Sequence, residues 1–115
     1  MGLTYVVDSA SEHCQVVTTI GSQQEASDLA QSTVLARVAA CAQVYGPLTS
    51  TYWWEGEVST AEEWQVVFKS TTGRYGQLET HIRDNHPYDL PEILCLPVTA
   101  GNPPYLAWVS EETAG

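Results

Sequence analysis

Between Cys41 and Thr71 tyrosine, tryptophan, valine and threonine dominate, and Glu55–Gly56 offers a turn near the middle of the stretch. Branched and aromatic side chains fit the pleated surface of a sheet, so Cys41–Trp54 and Val58–Thr71 are read as the two arms of one long hairpin. Gly46–Pro47 interrupts the first arm, and a proline that cannot donate to a central ladder places a bend or bulge there. In the second arm Trp64, Val66 and Phe68 alternate with Gln65, Val67 and Lys69, which gives one strongly apolar face. The arms are too long for one small sheet to cover, and the tip carries Tyr52, Trp53 and Trp54. Aromatics in such number call for a cover from a second copy of the chain.

The remaining segments supply partners for this hairpin. His13–Ile20 is short, rich in valine and threonine and closed by Gly21, the pattern of a first strand. Ser22 and Glu25 make a Ser-x-x-Glu capping box, and Ala26, Leu29, Ala30, Val34 and Val38 then recur at helical spacing, while Asp28, Gln31 and Arg37 face elsewhere. After the break at Gly73, Tyr75, Leu78 and Ile82 give a second helix one apolar face as far as the His86–Pro87 boundary. Ile93–Val98 is expected to be a final buried strand. Asn102 followed by Pro103 reads as an N-cap with proline in the first helical position, opening a short helix with Tyr105, Leu106, Trp108 and Val109. Strand, helix, strand, strand, helix, strand is the ferredoxin-like βαββαβ order, an α+β fold with two helices on one face of a four-stranded antiparallel sheet.

One core is what 115 residues with 43% hydrophobic content can build, so residues 1–115 are read as a single domain. Met1–Ser11 has neither a basic start nor a long apolar run and is expected to be a loose N-terminal extension rather than a signal peptide. Fourteen acids against four bases give a net charge of −10, which repels nucleic-acid phosphates and anionic membrane surfaces. No stretch approaches the ~20 apolar residues of a membrane-spanning helix. Cys14, Cys41 and Cys95 are odd in number and widely spaced, a pattern of neither a disulfide framework nor a structural zinc. A reduced, cytoplasmic protein is the expectation.

The stretch Asn85–Ile93 carries the candidate chemistry. Pro87 and Pro91 exclude helical backbone at His86 and Leu90, so a stiff connection holds His86, Tyr88, Asp89 and Glu92 in fixed directions. An imidazole and carboxylates near one another suit a divalent cation. The plain alternative is a loop whose buried histidine and capping acid satisfy backbone groups. Cys41, after an apolar helix, reads as a small buried hydrophobe. Nucleophilic catalysis has no support: no Gly-x-Ser-x-Gly elbow and no phosphate-cradling glycine loop is present, and Glu62–Glu63 and Glu111–Glu112 read as solvated edges. The chain is read as not an enzyme.

His86–Pro87–Tyr88, with Pro91–Glu92–Ile93, resembles the His-Pro-Tyr-x-x-Pro-Glu-Ile signature of the CutA divalent-cation-tolerance proteins. Arg37–Gln43, Tyr52–Glu57, Phe68–Ser70 and Gly101–Trp108 are similar to that family's other motifs and follow in its order. The resemblance implies the ferredoxin-like fold, a homotrimer, and a role in tolerance of divalent cations including copper. The metal site proposed for the family uses a cysteine on the first strand and the first histidine of a His-His-Pro-Tyr run. Thr18 and Asn85 stand at those positions here, and Glu92 alone of the trio is present. The expectation is therefore weak binding of copper(II) or zinc at His86 and Glu92, with Asp89 or a neighbouring subunit, and no thiolate copper site. Trp54, Glu63, Lys69, Tyr88 and Tyr105, which match polar and aromatic family positions together with His86 and Glu92, are expected to form an inter-subunit pocket. The alternative is a trimeric signalling protein of the PII kind that binds a small molecule or a partner protein; the scarcity of arginine argues against a nucleotide.

Overall fold

The structure, a computed structural model, describes residues 11–115. The N-terminal extension expected over the first eleven residues lies, apart from Ser11, outside the described residues. The order is β1 (His13–Ile20), α1 (Gln23–Leu35), β2 (Cys41–Trp54), β3 (Glu57–Thr71), α2 (Tyr75–Asp84), β4 (Leu94–Pro97) and α3 (Pro103–Glu112), with a 3-10 turn at Thr72–Arg74 leading into α2. The four strands form one sheet in the order β2-β3-β1-β4, antiparallel at every pairing. This is the ferredoxin-like α+β fold expected from the sequence.

Local signals account for most boundaries. At the start of α1 the Ser22 hydroxyl accepts from the Glu25 N–H at 3.1 Å and donates to the Glu25 carboxylate at 2.9 Å. The helix stops after Leu35 because Arg37 adopts a left-handed conformation, φ 61°, where most helices use glycine. The tip of the hairpin is a tight turn with positive φ at both Glu55 (49°) and Gly56 (83°), the backbone twist that suits a two-residue hairpin loop. Gly46–Pro47 sits in the expected irregularity, between the Tyr45↔Gln65 and Leu48↔Glu63 pairs. Gly46 is required there because a Cβ would lie 2.8 Å from Cγ of the Trp64 ring.

The core lies between the sheet and the two helices α1 and α2. Cys14, Val16 and Ile20 of β1, Val66 and Phe68 of β3, Ala26 and Leu29 of α1, and Leu78 and Ile82 of α2 form one buried cluster. The stripe read for α1 needs one correction. Thr33 is fully buried, its hydroxyl satisfied on the Leu29 carbonyl at 2.6 Å, while Val34 lines an open groove with Ala42 and Val44 of the edge strand β2 and stays partly exposed.

Two further expectations are corrected. The last strand is not buried: Leu94 to Pro97 are all exposed, because β4 pairs only with β1 and forms a sheet edge. Cys41 is not a buried hydrophobe. It is half-buried, and its sulfur lies 3.5 Å from the Tyr105 hydroxyl of α3. Helix α3 is held against the molecule by Val109, by His13 bonded to Ser110 at 2.9 Å, and by the Arg37–Glu112 ion pair at 2.8 Å.

Candidate functional site

The loop between α2 and β4 is fixed by His86. The Tyr88 backbone N–H donates to Nδ1 at 3.1 Å, which assigns the proton to Nε2, and Nε2–H donates to the Thr19 carbonyl at 2.8 Å. Both ring nitrogens are thus occupied, and the ring is buried edge-on against Tyr88 with centroids 4.8 Å apart. Tyr88 continues the chain of contacts: its hydroxyl donates to the buried Glu63 carboxylate at 2.8 Å, above Gly21. Burial and, next, the bond to Glu63 hold the Tyr88 hydroxyl well above the ordinary phenol range. Thr19, Glu63, His86 and Tyr88 therefore clamp the loop to the end of β1 and the middle of β3.

The expected metal residues are not brought together within one subunit. His86 points inward with no free lone pair, whereas Asp89 and Glu92 lie exposed on the loop. Among the described residues no three His, Cys, Asp or Glu side chains converge as a metal site. A cation that used His86 would have to break the bond to Thr19 or to the Tyr88 N–H. Thr18 and Asn85, at the positions where the resembled family has its cysteine and first histidine, supply no substitute ligand. The Thr18 side chain is fully buried beneath the helices, and Asn85 Nδ2 donates to the His81 carbonyl at 2.8 Å.

The expected inter-subunit pocket separates into three places along the hairpin. Trp54 pairs with Glu57 at the tip, Glu63 pairs with Leu48, and Lys69 pairs with Cys41 at the base. Each step along β3 is six residues, about 20 Å of extended chain, so one subunit cannot gather all three. Two smaller groups do form. Glu63 meets Tyr88, which packs on His86, beside the Ile20 end of β1. At the other, Tyr105 touches Cys41, and the neighbouring Lys69 donates to Gln43 at 2.9 Å. The bond to Cys41, then burial, pushes the Tyr105 hydroxyl up to about 12. Trp54 stands apart, half exposed with Tyr52 and Trp53.

Sequence reasoning missed a polar contact between the helices: Ser32 of α1 and Nε2 of His81 of α2 lie 2.9 Å apart. Both sit on the polar flank of their own helix, so only the packing of α1 on α2 reveals the pair. It also missed the contact between Cys41 and Tyr105, since no local signal states where α3 packs.

Comparison with known proteins places this arrangement. The family model described as "CutA1 divalent ion tolerance protein" matches residues 14–112. A divalent-cation tolerance protein CutA of Thermus thermophilus is 39% identical over 98 residues, covering 85% of this chain and 95% of its own length. The solved structure of that organism's protein superposes with a TM-score of 0.86 at 38% identity, covering 88% of this chain and 98% of its own. The crystal structure of CutA1 from Oryza sativa gives a TM-score of 0.87 at 33% identity, with 90% and 94% covered.

Proposed function

The chain belongs to the CutA1 divalent-ion tolerance family, and from that membership we propose that it serves divalent-cation tolerance as a homotrimeric binding protein rather than as an enzyme. The observation that carries the reading is the family match across residues 14–112, which takes in every element from β1 to α3. The trimer is supported by what one subunit leaves uncovered: Tyr52, Trp53 and Trp54 at the hairpin tip and Leu94 and Leu96 on the edge strand. Closed rings cover such surfaces without leaving a free edge. The PII-like signalling alternative gains no support from these relatives.

In the proposed role the stiff loop presents Asp89 and Glu92 to solvent, where carboxylates attract a divalent cation in a chain of net charge −10. His86 completes the set only by exchanging one of its hydrogen bonds for the metal, so binding of copper(II) or zinc is weak, and a neighbouring subunit supplies further ligands. Cytoplasmic location goes with this reading, as does the absence of a nucleic-acid or membrane partner. An unidentified protein or small molecule that senses the loaded state would complete the response.

Calorimetry with copper(II) and with zinc tests the site. Asp89→Ala combined with Glu92→Ala, both at exposed positions, is expected to abolish the binding heat while the circular dichroism spectrum stays the same. Unchanged binding would remove the loop as the metal site. Light scattering tests the assembly, and a stable monomer at micromolar concentration would exclude the trimer.

A further inference from the structure

Ser32 of α1 and His81 of α2 meet across the two helices, with Oγ 2.9 Å from Nε2. The hydroxyl proton has a second acceptor, the Leu29 carbonyl of its own helix, but at 3.2 Å that bond is the longer. Ser32 also lines a groove of about 280 Å³ whose other walls are Glu25, Asp28, Leu29 and Asn85. Asn85 caps α2 and donates one of its two Nδ2 hydrogens to the His81 carbonyl at 2.8 Å, and among the described residues nothing takes the second. None of these side chains belongs to the loop clamp or to the proposed carboxylate site. The proposed trimer leaves the groove open, since it covers the hairpin tip and Leu94 and Leu96, which pair with Val17 and Gln15 on the sheet face away from α1 and α2.

We infer that Ser32 is a nucleophile, with His81 as its general base, that takes a small acyl group from an activated, uncharged ester or thioester. The parts of an acyl-transfer site are in place. Hydroxyl and imidazole stand within the roughly 2.6–3.2 Å that a nucleophile and its base require. The spare Asn85 N–H is a donor for the oxyanion, and the nearly buried Leu29 gives the acyl chain an apolar floor. Glu25 and Asp28 on the walls repel an anionic donor in a chain already at −10, which selects uncharged ones.

In the step, Ser32 Oγ bonds to the acyl carbon as its proton passes to His81 Nε2. The bond from that carbon to the leaving oxygen or sulfur then breaks, and the leaving group carries the proton away. His81 is returned neutral, and Ser32 holds an ester. Inside α1 each backbone N–H is bound to the carbonyl four residues back, so no main-chain donor of that helix serves the oxyanion. One side-chain donor suffices only for a well-activated acyl group, and water attacks the resulting unactivated alkyl ester slowly. The acyl-serine therefore accumulates at one per subunit, a modification rather than a turnover, which leaves the proposed binding role as it stands.

The test is incubation of the whole protein with p-nitrophenyl acetate, following nitrophenolate release and mapping acetylated peptides by mass spectrometry. A burst of one nitrophenolate per subunit and an acetyl group on Ser32 are expected. Ser32→Ala should lose the burst, and His81→Gln should slow it by about 100-fold or more, the low end of what a positioned base supplies. Glutamine keeps a hydrogen-bond donor for Ser32 but cannot take its proton, so a contact that only packs α1 on α2 would leave the burst unchanged in that variant. Ser110→Ala, which breaks the second serine–histidine pair at His13, should react as the parent does. The same ester with a carboxylate on its acyl chain should react more slowly than the acetate, and Asp28→Asn should narrow the gap. A full-rate burst in His81→Gln, acetylation that spares Ser32, indifference to the donor's charge, or steady release with no acyl-serine overturns the assignment.

Discussion

The base and the tip of the hairpin are built by the same two strands from the same kinds of residue, yet they meet opposite fates. At the base, Val66 and Phe68 of β3 are fully buried, for α1 and α2 lie over one face and β1 adds a neighbour at the side. From Glu57 to Glu62 no residue of β3 is buried, and opposite them Trp53 is 74% exposed. Strand propensity made both halves, and only the presence of a layer to pack against separates them. A ladder of backbone bonds alone does not keep a two-stranded ribbon stable in water, so the proposed trimer would supply the cover that the tip lacks within one subunit.

That contrast predicts where substitutions bite. The largest effect belongs to Phe68→Ala, which empties the centre of the covered layer and should cost about 3–5 kcal/mol of unfolding free energy. Urea denaturation measures it, and a loss below about 1 kcal/mol, within the range of surface changes, would mean that the base is not the true core. Trp54→Ala comes next and acts on a different quantity. Loss of the cover over half a ring should weaken association by about 2 kcal/mol per subunit and lower the melting temperature as the protein is diluted. Trp108→Ala, on α3, should do less. Sedimentation of both variants decides it, and equal, negligible shifts would remove the tip as the main contact.

The same division explains what was legible in the sequence. α1 and α2 were readable because each has one wet and one dry face, so helical spacing shows in the sequence, and β1 because valine and threonine fill a short stretch that Gly21 closes. The turn at Glu55–Gly56 and the bulge at Gly46–Pro47 were readable because glycine and proline act on their own backbone. β4 was misjudged because Ile93–Val98 is apolar on both faces, as a buried strand would be, whereas within one subunit it is an edge. The site was harder still. The motif pointed to His86, Tyr88, Asp89 and Glu92, but whether His86 keeps a free nitrogen depends on the Tyr88 N–H and on Thr19, 67 residues away in the chain. Trp54, Glu63 and Lys69 stand on one strand pair, and sequence order alone did not reveal that their spacing keeps them apart.

A smaller effect of opposite sign is expected inside the covered layer. The Thr18 hydroxyl is buried with no hydrogen-bond partner, and Thr18 faces Val66 across the β1–β3 pairing. An unsatisfied buried hydroxyl carries its full desolvation cost, and valine has the same shape without it, so Thr18→Val should stabilise the protein by about 1 kcal/mol. Chemical denaturation reads this directly. A destabilised variant would show that the hydroxyl is satisfied in solution.

The smallest effect concerns the rim of the covered layer, where Tyr75 packs against the core cluster and its hydroxyl donates to Glu79 at 3.0 Å. Burial first, and then that bond, raise its pKa from 10.0 to about 12. A phenol that keeps its proton more firmly when folded contributes stability that is fully present below pH 10.0 and is lost as pH rises toward about 12, because the unfolded chain ionises first. Cys14 and Tyr105, also raised to about 12, slope the same way, so the alkaline fall of the parent protein is a sum. Tyr75→Phe should remove one part of it: near neutral pH the variant should lie within about 1 kcal/mol of the parent, and its stability should decline less steeply above pH 10.0. Denaturation midpoints of the two proteins across that range test the difference. Parallel curves would place the Tyr75 hydroxyl in water, and the covered layer would then end one helical turn short of Tyr75.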